Sequence, residues 1–397
     1  MVENPSFKMM MNEVVDFGSC CECGSCVLVC PHNVIDYVDS KPKQVAKATN
    51  PFDFCGISEG IGCDVCAQVC PRLYPREFQL ADLVFGDENP QHKNVFGRYR
   101  QIFVARASDP ELVKRGQDGG VVTGILLWGL RNGYLDGAVV SATEADKPCA
   151  PVPKCVTTAD EVIAAAGSWY TYVPNNLALE QAKEKDLKQV AFVGVPCQVT
   201  PVRKMELKSA EFLKTGKKKD AIINKQTGFL KGYAERVKLN IGLLCTEVFD
   251  FQGLMVDKIS GEMGIPLEDV RQFNVKGKVL IYKKNGELVE LSLRKAQEYA
   301  RPECHHCGDF SAELADISCG GVGTTDWTIV IARTRKGEEV LEAMKKENLL
   351  ELKTMEEFEN SWKVLLRLAK KQHLRVPVPP GRDEAFVRPP EFLAGNA

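Results

Sequence analysis

The chain has 397 residues, enough to bury one large or two medium cores. Its 51 basic and 53 acidic side chains leave a formal net charge of −2, too little to recruit nucleic acid or an anionic membrane through a global field. No basic leader precedes an apolar stretch, and the best apolar run, Gly119 to Leu130, is too short to span a bilayer, so a cytoplasmic protein without a transmembrane segment of its own is expected.

The 16 cysteines point, in a reducing compartment, to metal clusters rather than a disulfide framework. Cys20, Cys23, Cys26 and Cys30, followed by Pro31, form the run C-x2-C-x2-C-x3-C-P, whose tight turns present three thiolates to one [4Fe-4S] cube while the fourth reaches another. Cys55, Cys63, Cys66 and Cys70, followed by Pro71, repeat it with seven residues in the first gap. Crossing the fourth cysteines gives one set of Cys20, Cys23, Cys26 and Cys70 and another of Cys55, Cys63, Cys66 and Cys30. Structural zinc competes for paired C-x2-C elements, but a zinc site is complete with four ligands and leaves the extra C-x3-C-P step unexplained. Cys21 stands beside a ligand, either as a spare thiol or in place of Cys20. Residues 1–85 are expected to form a small bacterial-type 2[4Fe-4S] ferredoxin domain.

From about Arg98 the texture changes to apolar runs bounded by Gly and Pro, at Ile102 to Ala105, Gly137 to Ser141 and Val190 to Val195. These alternate with helical patterns near Val121 to Arg131 and Leu177 to Lys185, which predicts an α/β body. Gln117-Asp118-Gly119-Gly120 precedes a helix-like stretch where backbone N–H groups can meet a phosphate, although a plain glycine-rich turn capping a helix has the same pattern. Cys197 follows the third run in Val195-Pro196-Cys197-Gln198, and Cys245 ends another, Leu239 to Leu244. With the C-x2-C pair Cys304-His305-His306-Cys307, these strand-end thiols are candidates for a third cluster or a zinc. His305 and His306 are read as supporting or surface groups. Cys149, Cys155 and Cys319 have no partners by spacing and are expected to be packed or idle. Lys214 to Lys225 reads as a solvated insertion or, more sharply, a docking surface. Glu339 to Leu350 and Phe358 to Leu368 read as amphipathic helix packing, and residues 372–397 as an extended Pro-rich tail.

Gln117 to Gly124, Ala166-Gly167-Ser168-Trp169-Tyr170-Thr171, Val195 to Gln198, Cys304 to Cys307 and Ala312 to Ser318 occur in an order that resembles a known family. That family is the beta subunit of coenzyme F-420-reducing hydrogenase and of F-420-linked formate dehydrogenase, and the resemblance covers about Arg98 to Lys371. It implies a mixed-sheet α/β flavoprotein body (98–371) holding FAD, a [4Fe-4S] cluster beside it and a pocket for the deazaflavin coenzyme F-420. Carried over residue by residue, it places the cluster on Cys197, Cys245, Cys304 and Cys307. It places the flavin on Asp118, Gly119, Gly120, Thr123, Ser168, Tyr170 and Asn175, with Gly321, Gly323 and Trp327 as further candidates. Hydrogenase beta subunits usually start at the body. An attached two-cluster ferredoxin resembles the electron-input subunit of F-420H2 dehydrogenase and the first half of F-420-dependent sulfite reductase. No sirohaem-binding half is seen before Ala397, so the former is expected.

The expected reaction transfers a hydride between F-420 and FAD and single electrons through three [4Fe-4S] clusters, to or from a redox partner protein or multisubunit complex of archaeal methanogenic metabolism. Its direction is open, and no side chain is assigned as a catalytic acid or base. One alternative is an electron-transfer adaptor subunit of a hydrogenase, formate dehydrogenase or heterodisulfide reductase complex, including one held at the inner face of a membrane. Another is a related FAD and iron–sulfur reductase with a different donor, since chlorophyll-metabolising and bacterial flavoproteins share the body.

Overall fold

The computed structural model describes residues 6–45, 63–73, 77–86, 92–144, 146–210 and 218–375. The two N-terminal cysteine runs fold alike. In the first, Gly24 turns through the left-handed region (φ +76°) into the short helix Ser25–Leu28; in the second, Asp64 leads into the helix Val65–Val69. Strands β1 (Ile35–Val38) and β2 (Lys41–Gln44) form a hairpin whose turn residues Asp39 and Ser40 both have positive φ, the combination that matches hairpin twist. Met10, Val14, Ile35 and Leu73 pack with Cys20, Cys66 and Cys70 into a small core. Cys55 lies outside the described residues.

A second hairpin, β3 (His92–Asn94) and β4 (Gly97–Tyr99), leads into the body. Its strands are β5 (Gln101–Ala107), β6 (Gly137–Glu144), β7 (Lys147–Val156), β8 (Val190–Gly194), β9 (Val237–Leu243), β10 (Val270–Val275), β11 (Lys278–Lys283), β12 (Leu288–Ser292), β13 (Ile317–Gly320), β14 (Thr328–Ala332) and β15 (Leu350–Lys353). Eight of them form one mixed sheet in the order β15-β5-β14-β13-β9-β8-β6-β7. β13, β9, β8 and β6 run parallel, and antiparallel strands flank them on both sides. β10, β11 and β12 make a separate antiparallel sheet.

The central strands are buried on both faces, which is why β8 reads as an unbroken apolar run. Alternate residues go to opposite cores. Ala191 and Val193 pack with Val121, Ile125 and Val340; Val190 and Phe192 pack with Leu179, Val199 and Val202. The three apolar runs fall in β5, β6 and β8, and the two helical patterns are the helices Val121–Arg131 and Ala178–Glu184.

Elsewhere the boundaries move. The pattern over Glu339 to Leu350 divides, because the helix Arg335–Lys346 ends and Leu350 opens β15. The helix Glu359–His373 runs past the expected boundary at 371, and the tail from Val376 lies outside the described residues. Of the lysine-rich stretch, Lys218 onward belongs to the helix Lys218–Ala234, while 211–217 lie outside the described residues. Among the described residues no helix is long and apolar enough to cross a membrane.

Candidate metal centre and cofactor site

β8 and β9 are parallel neighbours, so their carboxyl ends deliver Val195-Pro196-Cys197 and Leu244-Cys245 to one place. Pro196 opens the helix Pro196–Ala210, a position that tolerates its missing N–H, and Cys197 sits in the first turn, where unpaired N–H groups favour a thiolate. The N–H of Cys245 donates to the Phe310 carbonyl at 2.9 Å. Cys304 lies in the 3-10 helix Pro302–His306 with Cys307 just after it, and the Cys307 N–H donates to the Cys304 carbonyl at 3.2 Å. All four cysteines line one cavity, together with Tyr172 and, from the N-terminal module, Cys21.

Burial pushes the Cys245 and Cys304 thiols up, with neighbouring thiols adding to the effect, so loading a metal here displaces protons. Among the described residues no three His, Cys, Asp or Glu side chains converge closely enough for a single metal ion. Four cysteines around one cavity match the four thiolates that a [4Fe-4S] cube takes. The Tyr172 hydroxyl lines the same cavity, buried without a hydrogen-bond partner, and offers a donor to a bound group. This donor set fits a [4Fe-4S] cluster. His305 and His306 do not line the cavity; the His306 ring packs against Phe17 at 5.4 Å. Cys149, Cys155 and Cys319 are packed in the body, their thiols pushed up by burial to about 12, 11 and 12.

The N-terminal module is locked onto this cavity by charge. Arg301 meets Glu22 at 2.5 Å, and Lys41 bridges Glu22 at 2.6 Å and Glu303 at 2.7 Å. Arg72, directly after Cys70-Pro71, donates to the His306 carbonyl at 2.6 Å. Lys204, 2% exposed, donates to the carbonyls of Cys70 and Leu73. Glu22 itself, between Cys21 and Cys23, is held at φ +63°, an unusual conformation for a side-chain-bearing residue. The Cys20 thiol is pushed up to about 12 by burial and then by Cys21 and Cys70, and that of Cys26 is raised by burial and by Cys20 and Cys70. Cys20, Cys26 and Cys70 thus act on one another's thiols, and Cys21 lines the body's cavity together with Cys197.

The glycine-rich turn lies on the other side of the sheet end. Gly119 (φ +73°) and Gly120 (φ +68°) lead into the helix Val121–Arg131; a Cβ on Gly119 would meet the Ala105 carbonyl and Thr328 Oγ1 at 3.0 Å, and one on Gly120 the Leu112 carbonyl at 2.5 Å. Their bareness therefore serves the chain's own packing, as the plain-turn reading requires. Asp118 pairs with Lys276 of the small sheet at 2.9 Å and rests on Gly321, where a Cβ would be 1.9 Å from its Oδ2. Burial raises the Asp118 carboxyl, with Lys276 opposing.

Tyr170 (φ +60°) accepts from the Val275 N–H at 3.3 Å, beside the same carboxylate. The Gln117 amide is buried with neither end partnered, and Asn274 Oδ1 is likewise orphaned. Such groups fit a polar ligand such as a flavin. Thr123 is buried in the helix and Ser168 is half-buried. Asn175 is tied between Ser141 (3.1 Å) and the Val193 carbonyl (3.0 Å), at the ends of β6 and β8. Gly323 lies against Ser361, and Trp327 is flanked by Arg106 at 4.7 Å and Lys353 at 5.0 Å. Lys276, Gln117, Asn274 and Tyr172 were not singled out in the sequence. Only Gln117, inside the glycine-rich motif, carried a signal there.

Three family profiles match: the N-terminal profile of "Coenzyme F420 hydrogenase/dehydrogenase, beta subunit" over 102–180, its C-terminal counterpart over 187–358, and "4Fe-4S binding domain" over 13–36. The chain is 31% identical to one of the subunits of the F(420)H(2) dehydrogenase of Methanosarcina mazei, over 84% of this chain and 85% of that one. It is 33% identical to "Coenzyme F420-dependent sulfite reductase" of Methanocaldococcus jannaschii over 92% of its own length, but spans only about half (52%) of that protein. Among solved structures, a chain of the F420-reducing [NiFe] hydrogenase complex from Methanosarcina barkeri superposes with a TM-score of 0.63 at 29% identity, covering 71% of this chain and 91% of that one.

Proposed function

Because the chain belongs to the family of coenzyme F-420 hydrogenase/dehydrogenase beta subunits, we propose that it is an F-420-dependent oxidoreductase of the F-420H2 dehydrogenase input type. Its body exchanges a hydride with F-420, and its ferredoxin module passes single electrons to or from a partner. The observation that carries this reading is the thiol-lined cavity at the ends of β8 and β9, with the N-terminal module docked directly over it. When bound, FAD converts between the two-electron carrier and the one-electron clusters.

The chain's own residues supply position and shielding. Cys197, Cys245, Cys304 and Cys307 would hold one cluster, Cys20, Cys23, Cys26 and Cys70 a second, and Cys30, Cys55, Cys63 and Cys66 a third. Gln117 and Asn274 offer a donor and an acceptor to the polar edge of a flavin, while the Asp118–Lys276 pair fixes the turn beside it. Arg72, Arg301 and Lys204 place positive charge against the buried thiolates, offsetting the cost of burying them.

Anaerobic stopped-flow tests the donor. Flavin and cluster absorbance of the loaded protein is expected to bleach with reduced F-420 and not with NADH. Bleaching by NADH alone, or by neither, moves the function to another branch of the family. A second reading, that the electrons go to a sulfite-reducing unit, is favoured by the alignment of 92% of this chain with one half of the sulfite reductase. Sulfite-dependent reoxidation of the reduced protein in complex with such a unit distinguishes it from the first.

A further inference from the structure

Phe249, just downstream of Cys245, joins separate segments of the chain: it bridges Thr171 on one side and Ala300 on the other. The Phe249 N–H donates to the Tyr170 carbonyl at 2.8 Å, and the Arg301 N–H to the Val248 carbonyl at 3.0 Å. These pairings bring Tyr172 and Arg301 together on the wall of the cysteine-lined cavity, with the Arg301 guanidinium 4.3 Å from the centre of the Tyr172 ring. Arg301 is held in turn by Glu22 of the N-terminal module at 2.5 Å. The charged groups of the wall have protein partners: Arg72 meets the His306 carbonyl, Glu303 meets Lys41 and Glu247 meets the Gln297 amide. The Tyr172 hydroxyl is buried with none. A buried hydroxyl without a partner costs stability that a phenylalanine would not, so a partner that the polypeptide does not supply explains it.

We propose that the Tyr172 hydroxyl is a hydrogen-bond donor to the central cluster, the one that Cys197, Cys245, Cys304 and Cys307 would hold, and that it raises that cluster's potential. The acceptor is a sulfur, of the cluster or of its thiolate ligands. A neutral phenol has one proton to offer, and the Arg301 cation on the ring face draws electron density from it and makes the O–H a better donor. Hydrogen bonds to cluster sulfurs are one of the levers that set cluster potentials. Reduction makes the cluster more negative, so the bond strengthens on reduction and favours the reduced form. No covalent bond forms or breaks, and the proton stays on the phenol oxygen. The inference rests on the reading that the four body cysteines hold a cluster.

The test is an EPR-monitored redox titration, with iron analysis, of the whole loaded chain as parent and as Tyr172→Phe, which removes one oxygen and keeps the ring beside Arg301. Iron content is expected to be the same in both. At fixed potential the central cluster's ratio of reduced to oxidised form falls about tenfold in the variant, a shift of about 59 mV for one electron, while the N-terminal clusters keep their midpoints. ENDOR of the reduced central cluster in H2O and D2O should show one exchangeable proton coupling fewer in the variant than in the parent. Unchanged midpoints with unchanged couplings would leave the hydroxyl to water alone and overturn the proposal. So would loss of the central cluster's iron in the variant, which makes the hydroxyl a structural part of the site. A shift confined to an N-terminal cluster makes that cluster the acceptor, and also overturns it. A parent with no central-cluster signal overturns the reading beneath the proposal, and the proposal with it.

Discussion

The N-terminal cluster sites and the cavity at the ends of β8 and β9 use the same side chain but are built in opposite ways. In the first, the cysteines arrive in runs of a few residues, each set around one short helix, Ser25–Leu28 or Val65–Val69. In the second, Cys197, Cys245 and the Cys304–Cys307 pair come from three distant segments and meet only because β8 and β9 are parallel neighbours. The first kind of site is a local property of sequence, and the second is a property of topology. A substitution that disturbs strand placement should therefore empty the cavity and spare the N-terminal sites.

The largest expected effect of this kind comes from Asp316. It is buried between Arg203 (3.1 Å), Lys336 (3.7 Å) and the Asn240 N–H of β9 (2.8 Å), and so ties β9, β13 and the helix carrying Cys197 together. Asp316→Asn breaks a buried ion pair, costing about 3–5 kcal/mol. The central cluster's EPR signal and iron should be lost before those of the other two; simultaneous loss of all three would erase the distinction. Burial alone raises this carboxyl, but Arg203, Lys336 and the Asn240 N–H outweigh it and hold it below the usual carboxylate range. Its folded pKa is depressed, so its stabilisation is present above the unfolded value of about 3.9 and is lost as pH falls through the folded one. Acidification below about pH 4 should accordingly bring the parent's unfolding free energy down toward that of Asp316→Asn, so that the gap between the two, measured by near-UV circular dichroism in urea, narrows as pH falls.

The reverse experiment acts on the module. Lys204→Met leaves the carbonyls of Cys70 and Leu73 without their charged donor, at about 2–4 kcal/mol, and should lower the temperature at which the N-terminal clusters bleach while the body's cluster persists. A smaller effect is expected at the flavin turn. Gly321→Ala drives a methyl into Asp118 and forces apart the Asp118–Lys276 pair, for about 1–3 kcal/mol, so FAD retention on gel filtration should weaken roughly ten- to hundredfold. Gly228→Ala, with open space around its Cβ, is the control that should retain FAD. Smallest is Tyr172→Phe. Removing a buried hydroxyl that has no partner should leave the stability of the metal-free protein within about 0.5 kcal/mol of the parent, measured by urea unfolding.

The contrast also explains what could be read from the sequence. The first N-terminal run was legible as a [4Fe-4S] site because spacing encodes its geometry, and β8 as a buried strand because it is apolar on both faces. Cys197 and Cys245 were legible as strand-end thiols, but nothing local joined them to Cys304 and Cys307; the resemblance did that. Cys21 stayed ambiguous because its direction depends on the positive φ of Glu22 and on Arg301, some 280 residues away in the chain. Lys276 carried no signal, since its partner Asp118 lies some 158 residues away in the chain. The helix over Glu339 to Leu350 was overextended because the apolar pattern continues across the turn at Asn348 (φ +56°) into β15.

The proposed path runs from the body to the N-terminal clusters through the cavity at the ends of β8 and β9, and rapid freeze-quench EPR tests it most directly. The whole loaded chain and its Cys304→Ser/Cys307→Ser variant would each be mixed anaerobically with reduced F-420. The parent should show flavin bleaching followed by reduction of all clusters; the variant should bleach its flavin while its N-terminal clusters stay oxidised. N-terminal clusters reduced in the variant at the parent's rate would contradict the path.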